Sequence, residues 1–227
     1  MPMNYRILVA DDHPLFRAAI NQIMSVQLDG VVIDETDSVS GLQAKLEENQ
    51  DADLILLDLH MPGAQGFSAL VFLRNHYPDI PVVVISAQED PVVIGRAMQF
   101  GAAGFIPKSA EPKTIKHAIE TVLGGDLWSP EPVTNINERS QYEQEMAEKL
   151  ASLTPSQFKV LVMMNEGLLN KQIAYELEVS EATIKAHATA IFQKLGVRNR
   201  TQAVIALHEL DIEHPAHVAT DDTNSDQ

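Results

Sequence analysis

Cysteine is absent from this 227-residue chain, which excludes a disulfide framework and any thiolate metal site. Long apolar runs are absent too. No stretch could span a bilayer, and the one brief apolar run before Asp11 is too short for a signal peptide. A cytoplasmic protein without membrane insertion is the expectation. Positive charge is scarce: 16 Lys and Arg stand against 32 Asp and Glu, a formal net charge of −16. Taken whole, that balance argues against a nucleic-acid partner. Its distribution reverses the argument, because residues 152–210 hold six basic and five acidic residues while 1–126 hold eight and seventeen. Four of those six basic residues fall between Lys185 and Arg200. The footprint is weak, yet it lies on one segment.

What is present is an ordinary apolar content, enough for a core without covalent staples. Four short apolar runs, Ile7-Leu8-Val9, Leu54–Leu57, Val82–Ile85 and Phe105-Ile106, read as buried strands of a parallel sheet. Asp11-Asp12, Asp58, Ser86 and Lys108 stand at their ends. Between the runs, helices are expected over Pro14–Val26, Ser40–Glu48, Ser68–His76, Pro91–Phe100 and Pro112–Leu123. Five strand–helix alternations imply right-handed βαβ units and a doubly wound sheet. Chemistry in such a sheet collects outside the carboxyl ends of the strands. Three carboxylates, a hydroxyl and an ammonium are thus expected at one edge.

Taken singly, these signals stay open. The Asp-Asp pair fits a solvated turn or an Asx cap as well as a cation site. Ser86 fits a strand-end cap, Phe105 fits core, and His13 fits a cap of the first helix better than a metal ligand. Together they suit Mg²⁺ and a phosphoryl group. Close carboxylates repel unless a cation neutralises them, Mg²⁺ takes few protein oxygens, and a carboxylate nucleophile forms an aspartyl phosphate.

Residues 124–151 read as a linker, with Gln141–Leu150 able to form a helix. Residues 152–210 carry four helical segments and no strand signal. Thr154-Pro155-Ser156-Gln157 forms a capping box with proline at the first helical position. Gly167 ends that helix, Asn170 is expected to cap the second, and Ser180 the third. A fourth runs from about Thr201 to Leu210. Helix, tight turn and longer helix constitute helix-turn-helix punctuation, although a small helical docking domain is compatible with the same pattern. Residues 211–227 read as an acidic disordered tail.

Residues 4–123 resemble a response-regulator receiver domain, on Val9-Ala10-Asp11-Asp12-His13-Pro14, Leu57–Gly63, Ile85-Ser86-Ala87 and Gly104–Lys108. The resemblance implies a flavodoxin-like α/β fold with five parallel strands and Asp58 as phosphoacceptor. It implies Mg²⁺ (or Mn²⁺) between Asp11, Asp12, Asp58 and the backbone carbonyl of His60. Lys108 then contacts the phosphoryl group, Ser86 moves toward it, and Phe105 is the coupled aromatic. Residues 153–206 are similar to the NarL/LuxR-type C-terminal domain, on Leu153-Thr154-Pro155, Asn170–Ala174, Thr183-Ile184-Lys185 and Lys194–Val197. That similarity implies an all-α four-helix domain. Lys171, Thr183, Lys185 and Lys194 are its expected phosphate or base contacts, with Ala186 and Thr189 on the same recognition face, and its last helix dimerises. The order of the two matches the NarL/FixJ regulators.

The implied protein is a transcription factor rather than an enzyme with its own substrate. Its implied partners are a histidine kinase, promoter DNA, a second copy on phosphorylation, and RNA polymerase. Phosphorylation is expected to free the recognition helix from the receiver. A phosphatase of the haloacid-dehalogenase type wants a second acid two residues past the nucleophile, where this chain has His60. A regulator working by protein contacts alone is the third reading.

Overall fold

The computed structural model describes residues 5–27, 30–48, 51–62, 64–130, 141–208 and 210. The expected tail, and residues 131–140 of the expected linker, lie outside them. Strands β1 (Arg6–Ala10), β2 (Val32–Thr36), β3 (Leu54–Asp58), β6 (Val82–Ser86) and β7 (Gly104–Pro107) form one parallel sheet in the order β2-β1-β3-β6-β7. A small antiparallel hairpin, β4 (His60–Met61) with β5 (Ala64–Gln65), follows β3. Helices α1 (Pro14–Gln27), α2 (Val39–Glu48), α3 (Ser68–His76), α4 (Pro91–Gln99) and α5 (Pro112–Leu123) cover both faces.

The two-residue period of the strands divides the core. Ile7, Val9, Leu54, Leu56, Val83, Ile85 and Ile106 pack with Ile20, Met24, Ile115 and Ile119 of α1 and α5. Leu8, Ala10, Ile55, Leu57, Val82, Val84 and Phe105 face the other layer, with Leu42, Leu70, Phe72 and Ile94. Strands buried on both faces need unbroken apolar runs, which is why four of the five were legible. The strand β2 was not. It lies at the sheet edge, mixes Asp34 and Glu35 with Ile33, and leaves Val32 exposed. The β4–β5 hairpin, only two residues a side, was likewise not expected.

The second half is helical: α6 (Gln141–Ala151), α7 (Pro155–Asn165), α8 (Asn170–Glu176), α9 (Glu181–Leu195) and α10 (Arg200–His208). Thr154 caps α7, with Gln157 closing the expected capping box. Ser180 accepts from the Thr183 N–H at the start of α9, which ends at Gly196 with φ of 72°. Asn170 is not a cap. It is the first residue of α8, and the Gln172 side chain accepts from the Leu169 N–H instead.

The two halves share one apolar layer. Phe72 of α3 stacks on Phe158 of α7, with centroids 4.2 Å apart and planes 7° from parallel. Both rings are buried, and such a pair adds about 1 kcal/mol to its area burial. The helix α6 packs on α3 through Met146, Ala147 and Leu150, and Asn75 donates to the Ala151 carbonyl at 2.7 Å. Gln43 of α2 donates to the Pro155 carbonyl at 3.4 Å. At the far end, the Phe67 N–H donates to the Leu210 carbonyl at 2.9 Å, and Leu210 is fully buried.

Candidate functional site

Strand order reverses around β1, whose neighbours are β2 and β3. At such a switch point the connections leave in opposite directions and open a crevice at the strand ends. Asp11 follows the last residue of β1, and Asp58 is the last of β3. Both are buried, 1% and 3% exposed, and Asp12 beside them is half-buried.

Lys108 enters this crevice one residue past β7. Its Nζ donates to Asp58 Oδ2 at 2.8 Å and lies 2.8 Å from Asp11 Oδ2. Asp58 Oδ1 accepts from the His60 N–H at 3.1 Å. Arg17 donates to the Asp11 carbonyl at 2.5 Å and pairs with Glu35 at 3.1 Å, which ties the β1–α1 turn to β2. Burial pushes the Asp58 carboxyl above its ordinary value of 3.8; Lys108 and the His60 N–H pull it down, and nearby Asp11 raises it further.

The residues fit a divalent cation. One ammonium faces three carboxylates, and Asp11 Oδ2 and Asp12 Oδ1 are buried without a well-aligned hydrogen bond, the first 2.8 Å from Lys108 Nζ and the second 2.7 Å from His13 Nδ1. One ligand atom each from Asp11, Asp12, His13 and Asp58 lie within 4.8 Å of one another. Hard carboxylate oxygens in that number suit Mg²⁺ or Mn²⁺.

Ser86 is fully buried at the end of β6, and its Oγ accepts from the Gln88 N–H at 3.1 Å. Phe105 is fully buried in the α2–α4 layer. The side chain of His60 is exposed. His13 holds the cap position of α1 through its backbone, not its side chain. Its carbonyl does accept from the Phe16 and Arg17 N–H groups, but the imidazole turns back to the carboxylates, 2.7 Å from Asp12 Oδ1.

The DNA-facing candidates divide. Lys171, Lys185, Ala186 and Thr189 are exposed and Thr183 is half-buried, while Ile184, Ala188, Ile191 and Leu195 form the inner face of α9. Lys185 pairs with Glu181 at 3.0 Å on the same helix. Lys194 is different: its Nζ donates to the Ser152 carbonyl at 2.7 Å and to Gln157 Oε1 at 2.8 Å, tying α9 to the start of α7. The receiver packs against the helical half through α6, α7 and Leu210, and the outer face of α9 is exposed. A run of solvent-facing short and cationic side chains on α9 predicts no burial partner, which is the signal that was available.

No helix among the described residues is long and apolar enough to cross a membrane. The family described as response regulator receiver domain matches residues 7–120, and that described as bacterial regulatory proteins, luxR family, matches 151–207. The glycerol metabolism activator of Pseudomonas putida is 41% identical over 213 residues, covering 91% of this chain and 96% of that protein. The nitrate/nitrite response regulator NarL of Escherichia coli K12 is 32% identical over 206 residues, covering 89% and 94%. RcsB from Salmonella enterica serovar Typhimurium, solved on promoter DNA with a phosphomimetic, superposes with a TM-score of 0.54 at 25% identity over 90% of this chain and 98% of that one. A LuxR family DNA-binding response regulator from Silicibacter pomeroyi gives 0.50 at 34% identity, over 56% and 97%. The chain belongs to the two-component response regulators that join a flavodoxin-like receiver to a DNA-binding LuxR-type helix-turn-helix domain.

Proposed function

We propose that Asp58 accepts a phosphoryl group from a cognate histidine kinase or a small phosphodonor, and that the phosphorylated chain dimerises and binds promoter DNA. The observation carrying this reading is the pair of buried carboxylates, Asp58 and Asp11, held by one lysine at the switch point of the sheet. Asp58 attacks phosphorus as the bond to the donor breaks, and the donor leaves with that bonding pair. Asp11, Asp12, Asp58 and the His60 carbonyl would hold Mg²⁺ or Mn²⁺, which would offset the charge on the phosphoryl oxygens. Lys108 is already placed to pair with those oxygens, and Ser86 exchanges its backbone partner for one of them. His60 stands where a phosphatase of the haloacid-dehalogenase type has its second acid, which favours a phosphoacceptor over an enzyme that turns over a separate substrate.

The output follows from the shared core. Phe105 belongs to the same apolar layer as Phe72 and Phe158, and α4 reaches α6 through the Arg96–Glu143 ion pair. Repacking around Phe105 therefore shifts how the receiver holds α6, α7 and α10, rather than uncovering α9. Lys171, Thr183, Lys185, Ala186 and Thr189 meet DNA, with half-sites about one helical turn apart for a two-fold dimer. The Pseudomonas putida relative is named an activator, which favours an activating role here and RNA polymerase as a further partner. Promoter DNA as target puts the work in the cytoplasm.

The test is to treat the protein with Mg²⁺ and acetyl phosphate or beryllofluoride, then measure its mass in solution and its DNA affinity. Dimerisation and tighter binding, both absent in Asp58→Asn, are expected. A folded protein that changes in neither respect refutes the scheme.

A further inference from the structure

His13 follows the acidic pair, and the start of α1 fixes its backbone. Its N–H donates to Asp11 Oδ1 at 2.7 Å, and its carbonyl accepts from Phe16 and Arg17. The ring is aimed back over the carboxylates: Nδ1 lies 2.7 Å from Asp12 Oδ1, 3.1 Å from Asp11 Oδ1 and 3.6 Å from Asp58 Oδ2. Lys108 Nζ stands 3.2 Å from the same nitrogen. The side chain is 61% exposed, so polar neighbours rather than packing hold it there. Beneath it, Asp11 Oδ2 is buried in a residue 1% exposed and faces Lys108 Nζ at 2.8 Å without a well-aligned hydrogen bond.

Three carboxylates alone make a site for a hard cation. An imidazole nitrogen converging with them changes the preference, because imidazole binds first-row transition ions while Mg²⁺ favours oxygen and keeps its waters. Resting on the proposed Asp58 site, we propose that His13 Nδ1 is a ligand of the cation gathered by Asp11, Asp12 and Asp58, so that the site selects Mn²⁺ and Zn²⁺ over Mg²⁺. Coordination uses the Nδ1 lone pair, so a proton that Nδ1 shares with Asp12 leaves as the ion binds.

The experiment titrates the metal-free full-length protein with Mg²⁺ alone and Mn²⁺ alone, for wild type, His13→Phe and His13→Asn. Electron spin-echo spectra of the Mn²⁺-loaded proteins are recorded alongside. Nitrogen coupling is expected in the wild type and lost in both variants. The preference for Mn²⁺ over Mg²⁺ is expected to fall by about tenfold or more. Mn²⁺ without nitrogen coupling, at an unchanged preference, overturns the role of His13 and leaves the Asp58 site standing. Failure of either ion to bind any of the three proteins overturns both.

Discussion

Lys108 and Asp58 form a buried ion pair at 2.8 Å, and the same ammonium stands 2.8 Å from Asp11. Both carboxylates are 1% exposed at the side chain and the lysine 14%. Removing the lysine leaves two uncompensated charges in the crevice. Lys108→Ala should destabilise the metal-free protein by about 3–5 kcal/mol, measured by urea unfolding. Mg²⁺ should restore part of the loss. A variant as stable as the wild type without metal excludes this account of the pair.

Asp58 also sets a pH dependence. Its folded carboxyl titrates above the ordinary value of 3.8 because burial disfavours its charged form. Between the unfolded and folded values the native state therefore holds more protons than the unfolded state. Stability contributed by this residue falls as pH rises through that window and is constant above it. The wild type should lose stability relative to Asp58→Asn as pH climbs from about 4, in metal-free urea titrations. A difference that grows in favour of the wild type would reverse the sign and exclude burial as the dominant cause.

Arg96 makes two contacts that cross elements: the ion pair with Glu143 of α6, and a guanidinium 4.9 Å over the Phe67 ring. Phe67 in turn packs on Phe100 with centroids 5.1 Å apart. Arg96→Ala should cost about 3 kcal/mol and raise hydrogen exchange in α6. Arg96→Lys should recover only part, since an ammonium cannot lie flat on the ring. Unchanged exchange in α6 would show that the bridge does not couple the halves.

Two lysines of α9 should behave differently on DNA. Lys185 is exposed, so Lys185→Ala should weaken binding across sequences and lower the salt slope by about one. Lys194 ties α9 to Ser152 and Gln157, so Lys194→Ala should act first on thermal stability of the helical half. Fluorescence anisotropy across a salt series separates them. Equal salt slopes for the two variants contradict the assignment.

Phe158 is the receiver's hold on α7. Phe158→Ala removes a fully buried ring and its stack on Phe72, and should cost about 3–5 kcal/mol. The same change should raise hydrogen exchange in α3, which loses its cover. A loss confined to the helical half would mean that the stack adds nothing across the interface.

Much of this molecule is local and was legible for that reason. The run Leu54–Leu57 announces a buried strand because both its faces are covered, and Thr154 with Gln157 announces a helix start through two reciprocal bonds within four residues. Asp11, Asp12, Asp58 and Lys108 were legible as a set because each ends or follows a strand, and parallel strands bring their ends to one edge. The edge strand β2 and the helix α6 were harder, one diluted by Asp34 and Glu35, the other carrying few apolar residues among Glu143, Glu145 and Glu148.

The sequence by itself determined the two domains, the strand–helix order and the acidic crevice, because those depend on periodicity, caps and strand ends read within short windows. Only the tertiary structure decided that Phe158 lies on Phe72, that Lys194 is spent on Ser152 and Gln157, and that the imidazole of His13 joins the carboxylates. Each of those choices is made between groups distant in sequence or by the direction a side chain takes once its neighbours are assembled. An apolar ring, a lysine or a histidine is compatible with many partners, and burial and charge at the assembled surface select one.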